Sequence, residues 1–262
     1  MKMEVEKRFA LLLAAPDSDY VTKMYGGYFD VFVEAFGEEG ETWDLFRVVE
    51  GEFPDSEELA KYDGYVVSGS PADAYGDDLW ILGLCFLLQT LDAMKKKILG
   101  VCFGHQVWPP EFPLLVYVNV VSTACTGWDV GIRKLRMAES LPPHKYLDEL
   151  RELPPSPHII ECHQDEVVIP RTFPSYLMDL AGSGATSWRR CDRLLGEDCR
   201  GDVLPRDHIL GIQGHPEYTK GILYNLADRL SSFAEEAKAS VEATEPDRKF
   251  WETVCRAFLK GR

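Results

Sequence analysis

The chain has 262 residues, enough for one large domain, and 45% hydrophobic with 27% charged residues excludes a disordered or fibrous protein. With 28 Lys+Arg against 43 Asp+Glu the formal net charge is −15, which disfavours nucleic-acid phosphates and anionic membrane surfaces as partners. An odd set of seven cysteines without a CxxC pair, no signal-peptide pattern and no membrane-length apolar run point to the reducing cytosol.

Phe9 to Ala15 is a continuous apolar run closed by Pro16, the pattern of a strand buried on both faces. Tyr28 to Phe36 is expected to be a helix, with Phe29, Phe32, Val33 and Phe36 on one side and Gly37 ending it. Trp43 to Val49 alternates like a strand, and Gly64 to Ser68 forms another. Asp77-Asp78 then starts a helix whose core face is expected at Trp80, Leu84, Leu87, Leu88, Leu91 and Met94. Lys95 to Lys97 close it, where cations favour the negative end of the helix dipole. Ile98 to Val101 follows as a strand. This alternation with short connections implies right-handed crossovers and an open, mostly parallel sheet flanked by helices.

The middle of the chain is less regular. Glu111 to Val121 is apolar and β-branched, Leu141 to Pro157 is proline-rich and loop-like, and Ser187 to Asp207 supports no element. Pro157 to Cys162 and Ile209 to Gln213 are expected strands. From Thr219 the pattern is helical through Ile222, Leu223, Leu226, Leu230 and Phe233, and a last helix spans Asp247 to Leu259. Without repeats or low-complexity tracts, residues 1–262 are taken as one domain.

Chemistry concentrates at three strand ends. Gly100-Val-Cys-Phe-Gly-His-Gln106 follows a strand and opens a helix, so Cys102 is expected on a sharp nucleophile elbow, where a helix N-terminus favours the thiolate. Gly211-Ile-Gln-Gly-His-Pro-Glu217 ends another strand. Pro216 biases His215 towards extended backbone, which lets His215 and Glu217 face one way as a base and its orienting carboxylate. Ser68-Gly-Ser-Pro71 ends a third, and backbone N–H groups near Ser70 and from Phe103 are candidates for an oxyanion hole. Each motif also has a plainer reading, as a buried cysteine or a surface turn, and their co-occurrence favours catalysis. His105 is expected to be structural. Cys162 and His163 adjoin, yet no ligand set at zinc spacing completes a site, so neither metal nor cofactor is expected.

These motifs in this order resemble the class I glutamine amidotransferase family, with its Cys-His-Glu triad and flavodoxin-like layering. Tyr25-Gly-Gly-Tyr28, Glu52-Phe-Pro-Asp55, Lys61-Tyr-Asp-Gly64, Cys162-His-Gln-Asp-Glu-Val167 and Ile212-Gln-Gly-His-Pro-Glu-Tyr218 are similar to its plant γ-glutamyl peptidase branch. The resemblance implies Cys102 as nucleophile, His215 as base and then acid, and Glu217 as its orienter. It also implies that Gly69, Gln106, Gln164 and Asp165 line the pocket for the γ-glutamyl α-amino and α-carboxylate groups, with Cys162 and His163 as pocket wall. The implied activity is hydrolysis of γ-glutamyl amide or peptide bonds, as in glutathione and its conjugates, with a small molecule as the partner. The alternatives are a glutaminase passing ammonia to a separate synthetase subunit, and an impaired family member acting as a binding protein.

Two segments, 107–125 and 187–207, depart from the family pattern. In the first, Pro109, Pro110 and Pro113 leave room for about one helical turn after Cys102, since proline in a helix interior costs about 3 kcal/mol. Lower stability and activity are expected from it.

Overall fold

In a computed structural model the chain is described at residues 6–107, 120–123, 128–135, 156–169, 199–200, 203–205, 208–230 and 234–261. The apolar run near the N-terminus becomes β1 (Arg8–Leu12), and β2 (Thr42–Phe46), β3 (Gly64–Val67), β4 (Lys97–Val101) and β11 (Ile209–Ile212) join it. All four neighbouring pairs are parallel, in the order β2-β1-β3-β4-β11, with β10 (Val203–Pro205) antiparallel at the far edge. Counted along the chain, the parallel strands stand in the 2-1-3-4-5 order of doubly wound folds, whose ligands lie beyond the carboxyl ends of the strands.

The continuous apolar strands are explained by cores on both faces. Ala10, Leu12, Tyr65, Val67 and Ile98 point to one, against α3 (Leu79–Ala93). Phe9, Leu11, Val66, Leu99 and Val101 point to the other, against α2 (Tyr28–Phe36) and α7 (Arg248–Lys260). Full burial of one such large side chain is worth about 1.5–3 kcal/mol, so the two layers dominate the stability of the sheet. Trp251 of α7 illustrates this: its ring is fully buried and its Nε1 donates to the His158 carbonyl at 3.1 Å. Lys260, also buried, pairs with Glu41 and sits 4.0 Å over the Phe9 ring.

A third core carries the parts that roof the sheet's carboxyl end. It joins Leu13, Val21 and Val31 to Val130, Ile132 and Ile160 and to Ile222, Leu223, Ala237 and Val241. These belong in part to α1 (Asp19–Tyr25), to the antiparallel pair β6 (Asp129–Lys134) and β7 (His158–His163), and to α5 (Lys220–Arg229) and α6 (Ala234–Ala243). Beside them β5 (Val120–Thr123), β8 (Asp165–Ile169) and β9 (Cys199–Arg200) form a small antiparallel sheet.

Several expectations are corrected. The strand expected over Trp43–Val49 stops at Phe46, because Val48–Glu50 turns into a 3-10 helix that Gly51 ends at positive φ. In α3, Ile81 joins the core face, Trp80 is only partly buried and Met94 is 40% exposed. The helix is apolar nearly all round, so no sequence period marks its buried side. The strand expected over Pro157–Cys162 is present as β7, paired with β6. Ser187–Asp207, to which the sequence pattern assigns no element, contains β9 and β10. Helix α1 was not foreseen; Ser18 Oγ caps it by accepting from Val21 N at 3.2 Å. Residues 141–155 of the loop expected over Leu141–Pro157, most of 111–121 and Phe233 lie outside the described residues.

Candidate active site

Cys102 stands between β4 and α4 (Phe103–Gln106) with φ 52° and ψ −108°, a conformation costly for a residue with a Cβ. Its surroundings enforce it. The Cys102 N–H donates to Ile212 O at 2.8 Å, and its carbonyl accepts from His105 N at 2.8 Å and Gln106 N at 3.1 Å. Gly100 and Gly104 make the turn possible: a Cβ would lie 2.2 Å from Gly104 O in one case and 2.4 Å from Val67 O in the other. Below the elbow the buried Phe103 ring packs against Trp80 of α3 at 5.5 Å. The one-turn length expected for the helix fits the four residues of α4, and residues 108–119 are not among those described.

His215 and Glu217, both almost fully buried, follow β11. Glu217 Oε1 lies 2.9 Å from His215 Nδ1, so that nitrogen carries a proton and the other faces outward. The Cys102 thiol lies close enough to the ring to act on its proton, and its Sγ is also 4.0 Å from the Cys162 carbonyl. Gly69 lies where they meet: a Cβ there would be 2.9 Å from His215 Cε1 and 3.5 Å from Cys102 Cβ. Burial depresses the His215 pKa, but the Glu217 and Cys102 charges overcome it and hold the pKa well above the usual histidine value. Burial pushes up the thiol pKa values of Cys85, Cys162 (to about 11) and Cys255, so these remain protonated thiols.

One cavity of about 380 Å³ brings the remaining expected residues together. Gly69, Ser70, Gln106, Gln164 and Asp165 line it along with Cys102, His215 and Glu217. Phe103 is not among the lining residues; its N–H, first in α4, has no acceptor within the helix. Gln106 reaches the wall with its amide already engaged, donating to Asp165 O at 2.8 Å and Gln213 Oε1 at 3.1 Å. It thereby ties the Gln164–Asp165 turn to the elbow.

The pocket also holds residues that the sequence reading passed over or left without a charge role. His163 Nδ1 is 2.9 Å from Asp165 O, and its Nε2 is 3.2 Å from Glu161 Oε2, an ion-pair contact. Burial alone lowers the His163 pKa, but Glu161 more than reverses this and lifts it to about 9. The Glu161-Cys-His163 spacing on a strand was the available signal, since residues two apart share a face. Asp73 approaches Asp165, whose pKa is raised by burial and then by Asp73. Tyr218 stacks on His215, and Trp128, Leu226 and Arg229 line the wall as well. No sequence period marks these.

Known proteins share this architecture. The family model described as Glutamine amidotransferase class-I matches residues 21–223. γ-Glutamyl peptidase 5 of Arabidopsis thaliana is 48% identical over 98% of this chain and 97% of its own length. γ-Glutamyl peptidase 3 of the same plant is 45% identical over 99% of each. Among solved structures, a glutamine amidotransferase from Thermotoga maritima superposes with TM-score 0.62 at 15% identity, over 98% of both chains. One from Methylobacillus flagellatus gives 0.64 at 15%, over 98% of this chain and 96% of its own. The chain belongs to the class I glutamine amidotransferase family, in its γ-glutamyl peptidase branch.

Proposed function

We propose that the chain is a cysteine hydrolase that cleaves γ-glutamyl amide bonds of small peptides, glutathione and its conjugates among them. The observation that carries this reading is Cys102 at positive φ, beside a buried His215 whose Nδ1 is fixed by Glu217 at 2.9 Å, with Gly69 against both. The Cys102 thiolate attacks the γ-carbonyl carbon, and the oxyanion is received by the Ser70 and Phe103 N–H groups. His215 Nε2 gives its proton to the leaving nitrogen as the C–N bond breaks, releasing the amine and leaving a γ-glutamyl thioester. Water then attacks; Nε2 takes its proton, the C–S bond breaks, and glutamate departs as the thiolate and imidazolium are restored.

Charge around the cavity supports a γ-glutamyl substrate. Asp165 and Asp73 together suit the α-ammonium group, with Gln164 and Gly69 beside them. Beyond Cys102 the wall continues to Trp128, Leu226 and Arg229, which supports a leaving group larger than ammonia. The test is to incubate the purified chain, without any partner, with glutamine and with a panel of γ-glutamyl peptides, and to identify products by mass. Glutamate release from the peptides is expected. Release from glutamine alone supports a glutaminase instead. No turnover, with Cys102 unlabelled by a chloroketone analogue of glutamine, supports a binding protein.

A further inference from the structure

The His215 ring is held on four sides. Glu217 fixes Nδ1, Cys102 faces Nε2, and Gly69 lies at the Cε1 edge. The ring face is covered by Tyr218, with centroids 3.9 Å apart and planes 7° from parallel. Both residues are buried, and the Tyr28 ring stacks with Tyr218 at 6.3 Å between centroids. Burial keeps the Tyr28 and Tyr218 phenols protonated. The charged or titratable groups facing the stack are Glu217, Cys102, Cys162 of β7 and, past Tyr28, Arg229 of α5.

An aromatic face carries negative charge density and attracts a cation held over it, more strongly when water is excluded. A neutral imidazole gains less from the same contact. The stack therefore favours the proton on His215 over its loss. We infer that Tyr218 is a positioning residue that holds the imidazole in register with Cys102 and, through its ring face, biases the pair towards thiolate and imidazolium. This rests on the assignment of Cys102 and His215 as the reacting pair. Its consequence is directional. Weakening the stack destabilises every state that carries the imidazolium, so the proton leaves His215 at lower pH and the alkaline limb of activity moves down. A residue that merely filled space would lower the rate without moving that limb.

The test compares Tyr218→Phe, Tyr218→Leu and phenylalanines of increasing ring fluorination installed at 218, which drain the ring face while nearly keeping its volume. Two readouts are used: the pH profile of kcat/KM on a γ-glutamyl dipeptide, and the titration of His215 by NMR in protein labelled at histidine Cε1. Tyr218→Phe is expected to keep both midpoints. Tyr218→Leu is expected to lower them by about one pH unit, a tenfold loss of preference for the imidazolium. The fluorinated series is expected to fall stepwise between the two, and it decides the matter alone if the leucine variant does not fold. Midpoints unmoved across the series, or Tyr218→Phe as impaired as Tyr218→Leu, overturn the inference. If no γ-glutamyl substrate is turned over, the NMR titration still tests it, so failure of the proposed activity is distinguishable.

Discussion

His215 and His163 each have a glutamate two residues away, each is buried, and both line the same cavity. They differ in what faces the remaining ring nitrogen. For His215 it is the Cys102 thiol, which can give or receive a proton. For His163 it is the Asp165 carbonyl, which can only accept, while Nε2 faces the Glu161 carboxylate. Two acceptors leave the second ring one comfortable state, the imidazolium. In the proposed mechanism one ring passes a proton and the other holds one, and the difference lies in a neighbour rather than in the histidine.

Removing the thiol breaks the contrast most severely. Cys102→Ala is expected to lower turnover at least about a thousandfold while the protein stays folded, because covalent chemistry dominates the rate. Survival of more than about a percent of the activity, measured with the same γ-glutamyl dipeptide, removes Cys102 from the mechanism. His215→Asn is expected to be comparably damaging. Glu217→Gln should cost less, about a hundredfold, since the carboxylate orients the ring without exchanging its proton. If His163→Asn or His105→Asn is the lethal change and His215→Asn is mild, His215 is not the base.

A smaller perturbation acts on geometry alone. Gly69→Ala places a Cβ 2.9 Å from His215 Cε1, tighter than carbon contacts allow, so the ring must shift. A fall of about a hundredfold in kcat with KM little changed is expected, the scale of a misplacement near 1 Å. Unchanged kcat shows that the ring has room the structure does not suggest.

The mildest test addresses the fixed cation through stability. The His163 pKa stands at about 9 in the folded chain, raised over its unfolded value near 6.5, so the folded state binds the extra proton between those limits. Its contribution is fully present below about pH 6.5 and is lost as pH rises through 9, about 3 kcal/mol in all. His215 acts in the same direction. Urea unfolding at several pH values should show stability falling across this window, and His163→Gln should flatten part of the slope. A variant with the parent's full slope shows that His163 is not held as the cation.

Much of the scaffold was legible because burial on both faces leaves a plain mark. Phe9 to Leu12 is apolar without alternation since Phe9 and Leu11 serve one core and Ala10 and Leu12 the other. The bounds of helix α2 were legible to its last residue, because Gly37 ends the pattern where the helix ends, but its buried face runs through Tyr28, Val31, Phe32, Ala35 and Phe36, with Phe29 and Val33 only partly buried. Helix α1 was not. It is seven residues long, and its one buried side chain, Val21, packs in a core shared with β6, β7 and α5. Glu161, whose carboxylate makes His163 a cation, was written two residues away, but the Asp165 carbonyl facing the other ring nitrogen is set there only by folding.

What the sequence determined by itself is local. A cysteine between glycines at a strand end requires an elbow, and a histidine and glutamate flanking a proline face the same way, because φ/ψ sterics act between near neighbours. What only the tertiary structure decided is which groups meet across the chain: His215 with Cys102, Gln106 with Asp165, Tyr218 over the imidazole. The proton affinity of a buried ring depends on every charge and acceptor packed against it. Those neighbours come from β4, β7 and the segment after β11, which are distant in sequence and adjacent only in the folded protein.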